Sequence, residues 1–161
     1  MTKGKFLSEK TNVMRILDKN KIPYKSRFYE NTGAVSGMEV AEVLGQDPSE
    51  VFKTLVTVGT SGNYYVFIVP VSRELNLKKA ASFVGEKSVS MIKSKELLPL
   101  TGYIHGGCSP VGMKKLFRTV MDSSAKEKNT VMVSGGKIGC QIEISPADLA
   151  KVVPFDFSDI T

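Results

Sequence analysis

The chain has 161 residues, 42% of them hydrophobic and 24% charged. Values this ordinary exclude a disordered, collagen-like or coiled-coil chain, and the length suits one domain with a core of its own. Twenty-two Lys and Arg oppose 16 Asp and Glu, a net charge of +6, which fits either a polyanion-binding face or a basic solvated surface.

Val13, Ile16 and Leu17 recur at helical spacing and predict a helix over residues 10–20. Pro23 bars its continuation, and residues 24–29 read as a strand. Residues 31–37 form a loop, and Ser36 with Glu39 is a capping box that opens a short helix. Val40, Val43 and Leu44 are its expected core face, with Gly45 just past its end. Asp47-Pro48-Ser49-Glu50 repeats the start signal: a cap, proline at N1 and glutamate at N3. A hairpin follows, with residues 53–58 and 64–69 as strands and Ser61-Gly62-Asn63 as the turn.

Asn76 caps a predicted helix to residue 84, with Leu77, Ala80, Ala81 and Val84 inward and Gly85 ending it. Residues 88–92 read as a short strand, 94–98 as a helical turn stopped by Pro99, and 102–105 as strand-like. Residues 119–122, 131–134 and 141–144 are further strands, the last two joined by a glycine-rich turn at 135–139. Ser145-Pro146-Ala147-Asp148 opens a final helix to residue 152, and residues 154–161 read as a tail. Strands follow strands as often as helices do, which predicts a single α+β domain with a mixed, mostly antiparallel sheet flanked by helices.

Two cysteines, Cys108 and Cys140, are too few for a disulfide scaffold, and the lone His105 leaves no zinc pattern. Residues 1–10 are polar and carry no apolar leader segment. The longest apolar run, residues 64–71, falls far short of the ~20 residues of a membrane span. A cytoplasmic protein is the expectation.

Lys53 opens an otherwise apolar strand. A lysine there projects a cation into a cleft or snorkels at a sheet edge, and the pattern leaves both open. Gly106-Gly107-Cys108-Ser109-Pro110 can aim backbone N–H groups at a small ligand, or simply turn the chain. Lys114, Lys115 and Arg118 follow it, placed to meet phosphates or to solvate a face. Ser134-Gly135-Gly136-Lys137 lacks the Walker spacing and reads as a hairpin turn. His105 is too near Cys108 in sequence to act as its base along an extended segment.

Taken in order, Val51-Phe52-Lys53-Thr54-Leu55, Leu77-Lys78-Lys79-Ala80, Gly102-Tyr103, Gly106 to Gly112 and Ser134-Gly135-Gly136-Lys137 resemble the YbaK/EbsC family of bacterial Cys-tRNA(Pro) deacylases. The resemblance runs from residue 10 to residue 153. It implies a trans-editing hydrolase that removes cysteine from tRNA(Pro), with the thiol of the substrate attacking its own ester. It implies no cofactor and no metal, and cysteine-charged tRNA(Pro) as the partner, and it leaves open whether the chain acts alone or together with prolyl-tRNA synthetase. Proline is close in size to cysteine and alanine, so binding alone separates them poorly and a second hydrolytic site is needed. Lys53 matches the family's essential lysine, which holds the terminal adenosine or the aminoacyl group. Thr54 follows it, Gly106 and Pro110 match the ends of a Gly-x-x-x-Pro loop that frames the pocket, and Tyr29 and Ser134 match pocket residues. Lys78, Lys79, Lys114, Lys115 and Arg118 are the expected tRNA-phosphate contacts. Ser36 stands where a close relative has an aromatic residue, and Gln141 where one has an aspartate. The alternatives are an Ala-tRNA(Pro) deacylase, or a tRNA- or synthetase-binding module without activity.

Overall fold

The computed structural model describes residues 10–161. Residues 1–9, most of the stretch read as polar and without a leader, lie outside the described residues. Thr11 caps the first helix, α1 (Asn12–Lys19), by accepting from the Met14 N–H, and Val13, Met14 and Leu17 are buried. Strand β1 (Lys25–Phe28) follows, then α2 (Gly37–Val43). Ser36 and Glu39 form the capping box at its start, and Gly45 takes φ +64 beyond its end. Val40 and Ala41 are its buried residues, whereas Val43 is 47% exposed, one step round the helix from the expected face.

The segment at Asp47–Glu50 makes only a turn, not a helix, because the chain enters strand pairing at once. Val51 already forms a parallel bridge with Met132, and the Met132 N–H donates to the Glu50 carbonyl. The hairpin is formed by β2 (Phe52–Gly59) and β3 (Tyr64–Pro70), paired antiparallel from Phe52↔Pro70 to Val58↔Tyr64. Asn76 accepts from the Lys78 and Lys79 N–H groups and caps α3 (Leu77–Val84), which Gly85 ends at φ +77. Leu77, at the first turn, is 42% exposed and not inward as expected.

After β4 (Val89–Met91), α4 (Ser94–Thr101) runs through Pro99 and stops only at Gly102. Proline removes one N–H, but the Thr101 hydroxyl donates to the Leu97 carbonyl and the Gly102 N–H to that of Leu98, which carries the last turn. Residues 102–105 are irregular, without strand pairing. Then come β5 (Arg118–Asp122), a 3₁₀ turn (Ser123–Glu127), β6 (Val131–Ser134), β7 (Cys140–Ile144) and the short α5 (Pro146–Leu149). Residues 154–161 are no tail: Asp156–Ser158 form β8, parallel to β5, and Ile160 is fully buried.

The strands make two sheets, not one. Their orders are β1-β7-β6, all antiparallel, and β4-β2-β3-β5-β8, with parallel pairs only at β3–β5 and β5–β8. The mixed, mostly antiparallel α+β expectation holds. β3 is buried on both faces, as a central strand should be. Val66 and Ile68 join α1, β6 and β7 in the main core, while Tyr65, Phe67 and Val69 pack on α3 with Ile160. In β7 the alternation is complete: Cys140, Ile142 and Ile144 point into the main core, and Gln141 and Glu143 to the opposite face. Ala41 of α2 and Val71 pack against Met132 on that opposite face.

Candidate active site

A cavity of about 360 Å³ opens where the two sheets, α2 and the Gly106 loop converge. Five of the six pocket residues expected from sequence line it: Tyr29, Lys53, Thr54, Gly106 and Ser134. They come from segments as distant as residues 29 and 134, which only the fold brings together. The sixth, Pro110, is buried elsewhere: it lines a smaller depression beside Ile16 and Phe117. The chain turns between Gly106, at φ +88, and Pro110, so the two ends of the loop face different sides.

Lys53 is delivered by the first residues of β2, in register with Val69. Its ammonium lies 3.2 Å from the Glu74 carboxylate, at the rim of the same cavity. Thr54, the next residue, carries a buried hydroxyl without a hydrogen-bond partner among the described residues. A buried unpartnered hydroxyl is costly, and this one belongs to a residue that lines the cavity. Ser134, opposite Gln141 in the β6–β7 ladder, accepts from the Gly136 N–H and keeps its own proton to donate. Burial pushes the Tyr29 phenol up, so it stays a neutral donor.

The loop that brings Gly106 to the cavity is tightly built. A Cβ at Gly106 would sit 2.8 Å from the Val35 side chain, and one at Gly107 would sit 3.0 Å from the Lys137–Ile138 backbone. Nothing larger than glycine fits at either place without displacing a neighbour. Cys108 also lines the cavity, but burial pushes its thiol up to about 12. That is opposite to the depressed pKa a cysteine nucleophile needs. Cys140 is pushed up to about 11 by burial and sits in the core. Among the described residues no group of three or more His, Cys, Asp and Glu could hold a metal ion, and no helix is long and apolar enough to cross a membrane.

Several lining residues were not singled out from sequence as pocket residues. Glu74 carries no pattern signal, being one polar residue in a loop. Val35, 40% exposed in the loop before α2, and Met38, 49% exposed in the first turn of α2, are apolar residues left in water, the one signal that could have marked them. Ser36 and Gln141 line the cavity as well. The five basic residues expected to meet phosphate lie outside it. Lys79 is paired with Asp159, and Arg118 with Asp156 while it stacks over the Phe83 ring at 5.5 Å. Lys78, Lys114 and Lys115 are exposed and make no ion pair among the described residues.

Fold and cavity together define an α+β domain with a cavity where its two sheets meet, lined by Lys53, Thr54 and Ser134. The sequence family supplies the rest: the model of the aminoacyl-tRNA editing domain matches residues 32–152, and the chain belongs to that family. It is an aminoacyl-tRNA editing domain, and editing is deacylation, the hydrolysis of the ester joining a wrong amino acid to tRNA. The chain is 43% identical over 154 residues to EbsC of Enterococcus faecalis, which bears the name of a Cys-tRNA(Pro)/Cys-tRNA(Cys) deacylase; the match covers 95% of this chain and 94% of that one. It is 30% identical over 127 residues to the proline–tRNA ligase of Thermosipho africanus, covering 71% of this chain but 22% of the ligase. A crystal structure described as a trans-editing enzyme for prolyl-tRNA synthetase shares the fold, with a TM-score of 0.81 at 24% identity over 96% of this chain and 99% of that one.

Proposed function

We propose that the whole chain is one deacylase domain that clears cysteine from tRNA(Pro) in trans, in the cytoplasm beside prolyl-tRNA synthetase. The observation that carries this reading is the convergence of Lys53, Thr54, Ser134 and Gly106 on one cavity of about 360 Å³. That volume suits a single aminoacyl group with the end of its ribose. The relatives support the substrate class: one bears the name of such a deacylase, and the others are proline–tRNA ligases that hold a similar segment.

In this reading the substrate supplies its own nucleophile. Its thiol sulfur bonds to the ester carbonyl carbon, the bond from that carbon to the ribose oxygen breaks, and the thiol proton goes to the departing oxygen. The cyclic thioester so formed is then opened by water. Lys53 and the backbone at Gly106 hold the carbonyl and the terminal nucleotide, Thr54 and Ser134 orient the group, and the chain contributes position and electrostatics. The raised thiol of Cys108 fits a wall residue rather than an attacking one.

The test is single-turnover hydrolysis of Cys-tRNA(Pro) and Ala-tRNA(Pro). Faster release of cysteine is expected, because alanine carries no thiol. Equal rates would remove the thiol-assisted step, and no hydrolysis of either would leave a binding module.

A further inference from the structure

Gln141 lines the cavity and is 3% exposed. Its amide is not loose. Its Nε2 donates to Gln46 Oε1 at 2.9 Å, and Gln46 Nε2 donates back to Gln141 Oε1 at 2.7 Å. The two amides close a ring of two bonds between residues 95 positions apart. Gln46 does not itself line the cavity. Its backbone is fixed by the end of α2: Gly45 takes φ +64, and the Gln46 N–H donates to the Ala41 carbonyl at 2.8 Å. On the other side, β7 holds Gln141 in register with Ser134 of β6, another lining residue.

A carboxamide has two N–H donors and two acceptor positions. The ring with Gln46 uses one of each, so Gln141 keeps one donor and one acceptor. The aminoacyl end of a charged tRNA offers their complements, an ester carbonyl and an ammonium group. We infer that Gln46 is a positioning residue: by clamping the Gln141 amide it fixes which donor and which acceptor the cavity wall presents to the aminoacyl group, and so helps decide which small side chain is hydrolysed. This rests on the deacylase reading above. An unclamped Gln141 amide would turn freely, and loss of orientation acts on the rate more than on binding.

The experiment compares wild type, Gln46→Met, Gln141→Met and the double variant in single-turnover deacylation of Cys-tRNA(Pro) and Ala-tRNA(Pro), with melting curves beside them. Methionine keeps the volume and removes both bonds; Gln46→Ala is the second variant should the first fail to fold. Gln46→Met is expected to lower the saturating rate on Cys-tRNA(Pro) about tenfold, to shift the cysteine-to-alanine ratio, and to leave the half-saturating concentration within about twofold. The double variant should be no slower than Gln141→Met alone, because residues acting through one another are not additive. An unchanged ratio, or losses that multiply in the double variant, would overturn the positioning role while wild-type activity stands. A wild type inactive on both substrates would overturn the deacylase reading, and this inference with it.

Discussion

Lys53 and Glu74 face each other across the rim of the cavity, Nζ to Oε1 at 3.2 Å, and they are held very unequally. The Lys53 side chain is 27% exposed and the Glu74 side chain 91%. The strand fixes the cation, while the acid hangs from a loop in water. An exposed pair of this kind contributes little to stability. Its meaning is electrostatic: the carboxylate stands where an anionic part of a substrate would be drawn.

Lys53→Ala should therefore fold with a near-normal melting temperature and lose roughly ten- to hundredfold in the saturating single-turnover rate, the worth of one charge-assisted hydrogen bond. Lys53→Arg should restore only part, since a planar fork does not replace a compact ammonium. Glu74→Gln should act in the other direction, lowering the half-saturating concentration for charged tRNA. A wild-type rate in folded Lys53→Ala would remove the lysine from the site.

Affinity for tRNA should fall with salt, with a log–log slope of about −0.7 to −0.9 for each phosphate contact. The ion pairs sort the five basic residues. Lys78, Lys114 and Lys115 are free of acids among the described residues, whereas Lys79 and Arg118 must first leave Asp159 and Asp156. Alanine at Lys114 or Lys115 should each flatten the slope by close to one contact, and alanine at Lys79 by less. Filter binding across a salt series reads this directly, and a salt-independent affinity would turn the +6 charge into solvation alone.

Alkaline pH should destabilise the fold earlier than the tyrosines alone would predict. Burial raises Cys108 from the ordinary 9.0 to about 12 and Cys140 to about 11, and it raises Tyr103 to about 12. A raised group loses its proton first in the unfolded chain. Its contribution is whole below the ordinary value and is lost as pH rises toward the folded value. The window for Cys108 thus runs from pH 9 to about 12, with a slope of about 1.4 kcal/mol per pH unit. Denaturant unfolding at neutral pH and near pH 10 and 11 should show the decline, and Cys108→Ala should make it shallower. At neutral pH, that same variant should keep most of its deacylase activity.

Ile160→Ala should cost about 2–5 kcal/mol, as for a buried aliphatic residue. Its side chain is fully buried with Phe67 and Val120, its N–H donates to the Asp122 carboxylate, and its carbonyl accepts from the Asn76 N–H just before α3. Thermal or denaturant melts measure the loss. A change near zero would mean that β8 is an ornament on the sheet rather than part of it.

Local chemistry was legible where it acts over a few residues. The Ser36–Glu39 box, the Asn76 cap, the Ser61-Gly62-Asn63 turn and the glycine stops at 45 and 85 all stand as read. What failed depends on distant partners. Asp156–Ser158 pairs with residues some 36 positions earlier, and no local pattern announces that (Asp156↔Val120). Val43 and Leu77 fit an apolar face by spacing, but their neighbours leave them 47% and 42% exposed. Within the site, the resemblance supplied Lys53, Thr54 and Gly106, which the fold places at one cavity. It misplaced Pro110, because a five-residue loop with Gly106 at φ +88 turns its far end into another face. Glu74 and the Gln46–Gln141 ring were invisible, since only the packed sheets bring those side chains near.

The contact between Gly107 and the Lys137–Ile138 backbone ties together two loops some thirty residues apart in sequence. Neither loop can therefore be remodelled alone. A residue inserted into one loop pushes on the main chain of the other, so changes of length or shape in the two should arise in concert. Lineages that reshape the loop bearing Gly106, which lines the cavity, would be expected to alter both loops as a matched set, leaving the sheets beneath untouched.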